Sequence, residues 1–294
     1  MSSAAVARKA PLGELWPGVV AALSFSSVDI LIKVVLASGM DVMTLVSLRG
    51  VLVVAFMFVW LRMRPPPIRH THRQRLIAWG IGVLFAGTMY GLMMAISLLP
   101  VSIAILAYFA YPLLTGIAGG ITGVDRLGWP ALLTALAAFL GLALMLGSEY
   151  QQLSGPGIAW ALGAAAFRVA SLLMTRAYLN GTDPRLTTWY SMVPSTLLFL
   201  AGSAVLGDWQ TPDSLLGWAA FAATSACSTL STLLTYLSTN RIGPFRTAFI
   251  MNLEPLVTTI LSMLLLGEIL TPPQVLGATV MLVSLGVFQF VRAR

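Results

Sequence analysis

Charge is scarce in this chain. Of its 294 residues 9% are Asp, Glu, Lys or Arg and 58% are hydrophobic, with a mean hydropathy of +0.89; soluble domains carry roughly 25% charged residues. A water-soluble fold is excluded. Cysteine is nearly absent: Cys227 stands alone inside an apolar run, so no intrachain disulfide is available. Histidine is limited to His70 and His72, both in a basic segment. No apolar run holds a histidine, which rules out a His proton relay and a His-based membrane protease. A His-x-His pair alone makes no metal site, and no metal or cofactor is expected. No Gly-x-x-x-x-Gly-Lys-Ser/Thr loop is present, so ATP is not hydrolysed by that route. Serines are plentiful but lack a partner base, which argues against an intramembrane serine enzyme.

What the chain has instead is ten apolar runs, at about 16–36, 42–62, 76–98, 101–122, 129–147, 157–177, 186–206, 215–237, 245–266 and 273–291. Most match the roughly 20 residues a helix needs to cross a hydrocarbon core of about 30 Å. Lys33, Arg49 and Arg168 lie within runs; every other one of the 17 Lys and Arg residues falls on one side of the zigzag. That side carries Arg8 and Lys9, then Arg62, Arg64, Arg69, Arg73 and Arg75, then Arg126, Arg176, Arg185, Arg241 and Arg246, and finally Arg292 and Arg294. The opposite loops carry Asp41, Glu149, Asp208, Asp213 and Glu268, and no base. The positive-inside rule places both termini and the basic loops in the cytoplasm. The same topology accounts for the net charge of +7 without a nucleic-acid partner. The first run reads as a span rather than a removed leader, because it exceeds an h-region, contains Asp29 and Lys33, and ends without a small-residue cleavage site. The longest loop, about 63–75, is rich in Pro and Arg, and no soluble domain is expected. Trp16, Trp79, Trp129, Trp160 and Trp218 lie near run ends, where indoles anchor spans at the interface.

Sliding the sequence by 143 residues sets Tyr111-Pro112-Leu113-Leu114-Thr115 on Glu254-Pro255-Leu256-Val257-Thr258, Asp125-Arg126-Leu127 on Glu268-Ile269-Leu270, and Lys33 on Arg176. The chain reads as a duplication, residues 1–147 and 148–294, with five spans in each half. Five is odd, so the second half enters the membrane from the opposite side. Inverted repeats around a midplane site are an architecture of secondary transporters. Pro112 and Pro255 fall at matching places midway along spans 4 and 9, and Pro194 is expected to interrupt span 7. A proline inside a span frees a carbonyl, which makes Pro112 and Pro255 the candidate hinges. The pairs Gly87/Gly91 and Gly116/Gly120 have the spacing of close helix packing.

Five ionisable residues lie well inside the runs: Asp29, Lys33, Arg49, Arg168 and Glu254. A mid-membrane charge costs several kcal/mol and normally faces a partner or a wet cavity. At 1.5 Å rise per residue their depths suggest two pairs, Asp29 with Arg49 and Arg168 with Glu254. They serve either as structural ion pairs, as carboxylate capture by an arginine fork, or as proton exchange at Asp29 or Glu254. An i,i+4 contact with Lys33 competes for Asp29. Tyr90, Tyr108 and Tyr111 lie deep in the spans and their hydroxyls need partners, and Asn252 belongs to the same group. Span 8 carries a hydroxyl stripe, Ser225, Ser228, Thr232, Tyr236 and Thr239, suited to helix–helix contact or to lining a pathway.

Asn252-Leu253-Glu254-Pro255-Leu256, then Leu266-Gly267-Glu268, then Gln274-x-x-Gly277 resembles the signature of the EamA-type transporters of the drug/metabolite transporter superfamily. Arg49 matches an arginine common in that family's second span. The first half departs from the pattern, with Tyr111 at the Glu position and Gly123-Val124-Asp125 in place of Leu-Gly-Glu. The resemblance implies a cytoplasmic-membrane exporter of small metabolites, most often amino acids. It also implies a cavity lined by spans 1, 3, 4, 6, 8 and 9 with spans 5 and 10 peripheral, and it leaves Glu268 as a cap at a helix–loop junction.

The expectation is an all-α integral membrane protein of the cytoplasmic (inner) membrane, with ten transmembrane helices in two inverted five-helix repeats. It exports neutral amino acids by alternating access, is not an enzyme, and works in the lipid bilayer without cofactor, metal or nucleic acid. Its oligomeric state is left open. The substrate-binding candidates are Tyr90, Tyr108, Tyr111, Arg168, Asn252 and Glu254, with Asp29 and Arg49 as a coupling site or ion pair. The alternative is a proton-coupled exporter of organic cations, against which three bases and two acids in the spans weigh.

Overall fold

Apolar segments in lipid must satisfy every backbone N–H and C=O internally, and in the computed structural model they do so as helices. The structure describes residues 12–125, 128–146, 154–206, 209–266 and 271–290. A 3-10 turn at Leu12–Glu14 precedes α1 (Trp16–Ala37), α2 (Val42–Met63), α3 (His72–Leu98), α4 (Val101–Tyr108), α5 (Tyr111–Thr122) and α6 (Trp129–Leu146). The second half supplies α7 (Gly155–Tyr178), α8 (Pro184–Leu206), α9 (Leu215–Ile242), α10 (Pro244–Ile250), α11 (Leu253–Leu266) and α12 (Pro272–Phe290). The described residues contain no strand. Arg126, Glu149, Asp208, Gly267 and Glu268, and the basic residues at both termini, lie outside them.

Short polar residues start the helices by accepting from orphan N–H groups. Asp41 accepts from Met43 N at 2.8 Å and Thr44 N at 2.9 Å. Thr71 and Gln74 form a reciprocal capping box. Ser154 and Ser214 cap α7 and α9 through Gly157 N and Gly217 N. Gln274, part of the motif read above, accepts from Thr271 N at 2.9 Å. Gly277, its companion, lies against the Gly141 carbonyl and the Met145 backbone of α6 with no room for a Cβ. These two motif residues cap α12 and seat it against α6.

Spans 4 and 9 are each broken, one between α4 and α5 at residues 109–110 and the other between α10 and α11 at residues 251–252. Each break lies one turn before a proline, because the proline ring clashes with the carbonyl four residues earlier and cannot hydrogen-bond to it. Tighter i→i−3 bonds fill the gap: Ala110 N to Ala107 O, Asn252 N to Phe249 O, Glu254 N to Met251 O. Span 7 differs from expectation. α8 runs uninterrupted through Pro194, whose ring packs against Gly82.

Among the described residues six helical stretches are long and apolar enough to cross a membrane: α1, α2, α3, residues 103–122, α6 and α7. α8 and α9 are as long and are rich in Ser and Thr. Those hydroxyls point inward: Thr187, Thr188, Ser191, Ser231, Ser238 and Thr239 are fully buried. Phe56, Leu133, Leu198 and Val283 face outward and are exposed. Apolar outside with hydroxyls inside is the distribution expected for a bundle solvated by lipid.

α1 packs on α9 and α11, α3 on α7 and α8, α2 on α8 and α9, α5 on α7, and α6 on α12. Shifting residue numbers by 143 turns each of these helix pairs into another on this list or into itself. Two opposite faces follow from the loop contacts. On one, Asp213 N donates to Ser38 O at 3.0 Å and Gln210 N to Asp41 Oδ2 at 3.2 Å. On the other, Arg185 reaches Arg64 O at 3.0 Å, Asn240 reaches Leu179 O at 3.2 Å, and Phe245 N reaches Asp125 Oδ2 at 3.3 Å. We call the first the acidic face and the second the basic face.

Candidate functional site

Helices that cross at mid-depth leave a space wherever bulky contacts are missing, and here one such space collects the intramembrane charges. A cavity of about 280 Å³ is lined by Asp29 of α1, Arg49 of α2, Tyr108 and Tyr111 beside the α4–α5 break, Arg168 of α7 and Glu254 of α11. Its volume lies near the lower end of the roughly 300–1,000 Å³ of small-molecule sites, which suits one small solute. Apolar side chains form most of the wall, among them Phe25, Phe85, Met89, Met93, Met192 and Phe199. Ser195, Thr196, Ser228 and Thr232 add hydroxyls.

The cavity runs from mid-depth toward the acidic face. Its α2 lining begins at Val42, the first residue of that helix, and its α3 lining spans Phe85 to Ile96, the last part of that helix. Toward the basic face it is sealed. Gly82 lies against the Ser191 backbone too closely to admit a Cβ. Ala78, Ile81, Leu179 and Tyr236 pack together beneath it, and the Tyr236 hydroxyl donates to Ser191 Oγ at 3.0 Å.

The four cavity charges sum to zero when all are ionised, two acids against two bases. The three-against-two census of the spans therefore overstates the positive character of the site, since Lys33 is not among its lining residues. The pairing differs from the depth argument. Among the described residues no ion pair within 4.0 Å joins Asp29 to Arg49 or Glu254 to Arg168; Arg185 does pair with Asp183 at 2.6 Å, on the basic face. Asp29 Oδ2 accepts from Thr258 Oγ1 at 2.8 Å, and Arg49 Nη1 donates to Ser228 Oγ at 3.3 Å. Depth fixes height along the membrane normal but not direction around it, so neighbouring hydroxyls took the contacts. The partners remain within electrostatic reach, Arg49 of Asp29 and Arg168 of Glu254.

Arg168 keeps one unused donor. Its Nε is buried with no hydrogen-bond partner among the described residues. Its guanidinium lies 5.9 Å from the centre of the Tyr111 ring, within cation–π range. Tyr108 and Tyr111 lean on each other with centroids 5.3 Å apart. Ser26 Oγ lies 2.9 Å from the Glu254 carbonyl and fixes the start of α11 against α1.

Two expected residues stand apart. Tyr90 is half exposed on α3, edge-on to Trp160 with centroids 5.8 Å apart. Asn252 is buried in the α10–α11 break. Neither lines the cavity. Pro112 and Pro255 sit in the first turns after the two breaks. The stripe on α9 divides: Ser228 and Thr232 line the cavity, whereas Ser225 and Thr239 donate to Phe221 O and Thr235 O of their own helix at 2.8 Å. Spans 2 and 7, now α2 and α8, contribute to the wall although the resemblance did not imply them. α6 and α12 stay outside it. Thr258 was missed, although its place one turn after Glu254 marked it. The methionines were missed because apolar residues in an apolar span carry no signal.

Outside the spans, His70 is buried on the basic face with its ring stacked on Tyr190, centroids 5.6 Å apart. Burial pushes its pKa below the ordinary 6.5; Asp183 opposes that shift and Arg75 adds to it.

Known proteins carry the same pattern. The sequence profile of the EamA-like transporter family matches residues 12–147 and again 155–289. The threonine/homoserine exporter RhtA of Escherichia coli (strain K12) is 28% identical over 220 residues, covering 73% of this chain and 71% of that protein. The uncharacterized transporter sll1319 of Synechocystis sp. is 26% identical over 221 residues, covering 72% of this chain and 66% of its own length, just under two thirds. A crystal structure of another protein superimposes with a TM-score of 0.80 at 16% identity, covering 96% of this chain and 99% of that one; at that identity the likeness shows the fold alone.

Proposed function

We propose, from the premise that this chain belongs to the EamA-like transporter family, that it exports neutral amino acids across the cytoplasmic membrane by alternating access. It is a membrane transporter and not an enzyme. The finer reading is ten spans, with α4–α5 and α10–α11 each counted as one broken span, in two inverted halves at 1–147 and 148–294. Both termini and the basic face lie in the cytoplasm. Three things support the halves: the two separate profile matches, the helix pairings that exchange under the 143-residue shift, and the break before a proline in each.

One observation carries the substrate reading: two acids and two bases line a single small cavity with two tyrosines. A zwitterion needs both signs within one molecule's reach. Arg168 suits the carboxylate, because its planar fork pairs bidentately and its Nε lacks a partner. Glu254 and Asp29 suit the ammonium. The apolar wall takes the side chain. The name of the RhtA relative, a threonine/homoserine exporter, fits the class without fixing the amino acid.

A second reading is favoured by Asp29, a carboxylate in the cavity wall bonded to Thr258, and is a proton-coupled export of organic cations. Asp29→Asn and Glu254→Gln separate the two in cells measured for efflux of both solute classes. The amino-acid reading expects both variants to lose amino-acid efflux. Loss of cation efflux with amino-acid efflux intact would overturn it.

A further inference from the structure

Buried hydroxyls gather beneath the cavity, and the 143-residue relation pairs them with its wall. Several residues of the cavity wall exchange with other wall residues under that shift: Phe25 with Arg168, Arg49 with Met192, Val53 with Thr196, Phe85 with Ser228, Met89 with Thr232, and Tyr111 with Glu254. That self-exchanging set is the mid-depth site. The rest of the α1–α3 lining leads to the acidic face and its mates lie outside the cavity wall; those of Asp29, Val42, Val46 and Gly50 are Leu172, Arg185, Trp189 and Val193. Val28 and Ile32 map to Ser171 and Thr175, Leu45 to Thr188, and Leu92, Met93 and Ile96 to Thr235, Tyr236 and Thr239.

These six mates, of ten in all, carry a hydroxyl, and each of the six is at most 4% exposed. They lie at the basic-face ends of α7, α8 and α9, and α9 packs against each of the other two. Thr175, Thr188, Thr235 and Thr239 each donate to a carbonyl one turn back in the same helix, at 2.8–2.9 Å. Their oxygens keep lone pairs that a dry interface does not use. Among them the Trp189 indole N–H, the mate of Val46 in the cavity wall, is buried without a hydrogen-bond partner among the described residues.

We propose that Ser171, Thr175, Thr188, Thr235, Tyr236 and Thr239 line a second vestibule, closed in this structure, through which a zwitterionic solute reaches the mid-depth site from the basic face. This rests on the alternating-access reading above. The two vestibules differ in chemistry. The closed one offers hydroxyls, so a charged solute exchanges water for protein partners in steps as it enters. The open one is apolar, so the solute leaves the site without partners that would hold it. Opening the closed vestibule requires Tyr236 to leave Ser191 and the Ala78–Ile81–Leu179 contact to part.

Substituted cysteines test this, because Cys227 is the only native cysteine. In a Cys227→Ala background, Ser171→Cys, Thr235→Cys and Thr239→Cys are compared with Leu92→Cys and Ile96→Cys. A membrane-impermeant methanethiosulfonate is applied to each face of sealed vesicles, with and without a mixture of neutral amino acids. The first three should be labelled from the basic face alone and the last two from the acidic face alone. Any condition that raises one group's rate should lower the other's, by about tenfold for a shift between a minor and a major state. Where a substitution harms folding, hydrogen exchange of segments 171–178 and 235–242 in the unaltered protein gives the same readout and should rise when Leu92→Cys becomes protected. Counterflow with Ser171, Thr235 and Thr239 positions silent from both faces overturns the vestibule and leaves transport standing. Labelling as expected without amino-acid counterflow overturns the substrate and leaves the vestibule standing.

Discussion

Replacing Arg168 with glutamine removes the guanidinium best placed to capture a substrate carboxylate. Arg49 already donates to Ser228, whereas the Arg168 Nε is buried and unpaired among the described residues. The two arginines should therefore not be equivalent. A hydrogen bond to a charged group contributes about 1.5–3 kcal/mol, and 1.4 kcal/mol is tenfold in affinity. Arg168→Gln should thus weaken half-saturation by about 10- to 150-fold. Arg168→Lys keeps the charge but loses the fork, and should recover only part of that. The assay is saturation of amino-acid flux in proteoliposomes, with ligand-induced thermal stabilisation of the purified protein as an independent measure of binding. Unchanged half-saturation in Arg168→Gln, with a protein that folds and fluxes, would refute the carboxylate assignment. A loss for Arg49→Gln larger than for Arg168→Gln would reverse it.

Three further outcomes follow from the geometry. Gly82→Val puts a side chain into the Ser191 backbone, so overpacking should cost about 1–3 kcal/mol; thermal unfolding should fall and the sealed basic face should exchange hydrogen faster. Pro255→Ala restores an N–H that can bond to Met251 O and close the α10–α11 break, so turnover should drop while binding measured by thermal shift persists. His70 prefers its neutral form in the folded protein. The unfolded chain gains its proton first as pH falls through about 6.5, so folding stability should fall with acidification below that pH and be unchanged above it; His70→Gln should flatten this pH dependence of unfolding.

The sequence was most readable where physics leaves few choices. Apolar run length marked where the long helices form. Prolines set the breaks one turn ahead of themselves. Asp29, Arg49, Arg168 and Glu254 were expected at similar depths, and all four line one cavity. Direction around the helix axis was not readable, because spans that are apolar on all sides show no periodic face. Asp29 and Arg49 consequently turned to Thr258 and Ser228 rather than to each other. Tyr90 turned outward to Trp160, and the Met wall carried no signal at all. Pro194 shows the limit of the proline rule, since α8 runs through it unbroken.

The most direct test is counterflow in proteoliposomes holding the purified protein, preloaded with one unlabelled amino acid at a time while uptake of a labelled one is followed with and without a pH gradient. The expected result is saturable uptake, accelerated by internal amino acids, selective among them, and lost in Arg168→Gln at low substrate. Folded protein that gives no counterflow for any neutral amino acid, or flux that rises without saturation, would contradict it.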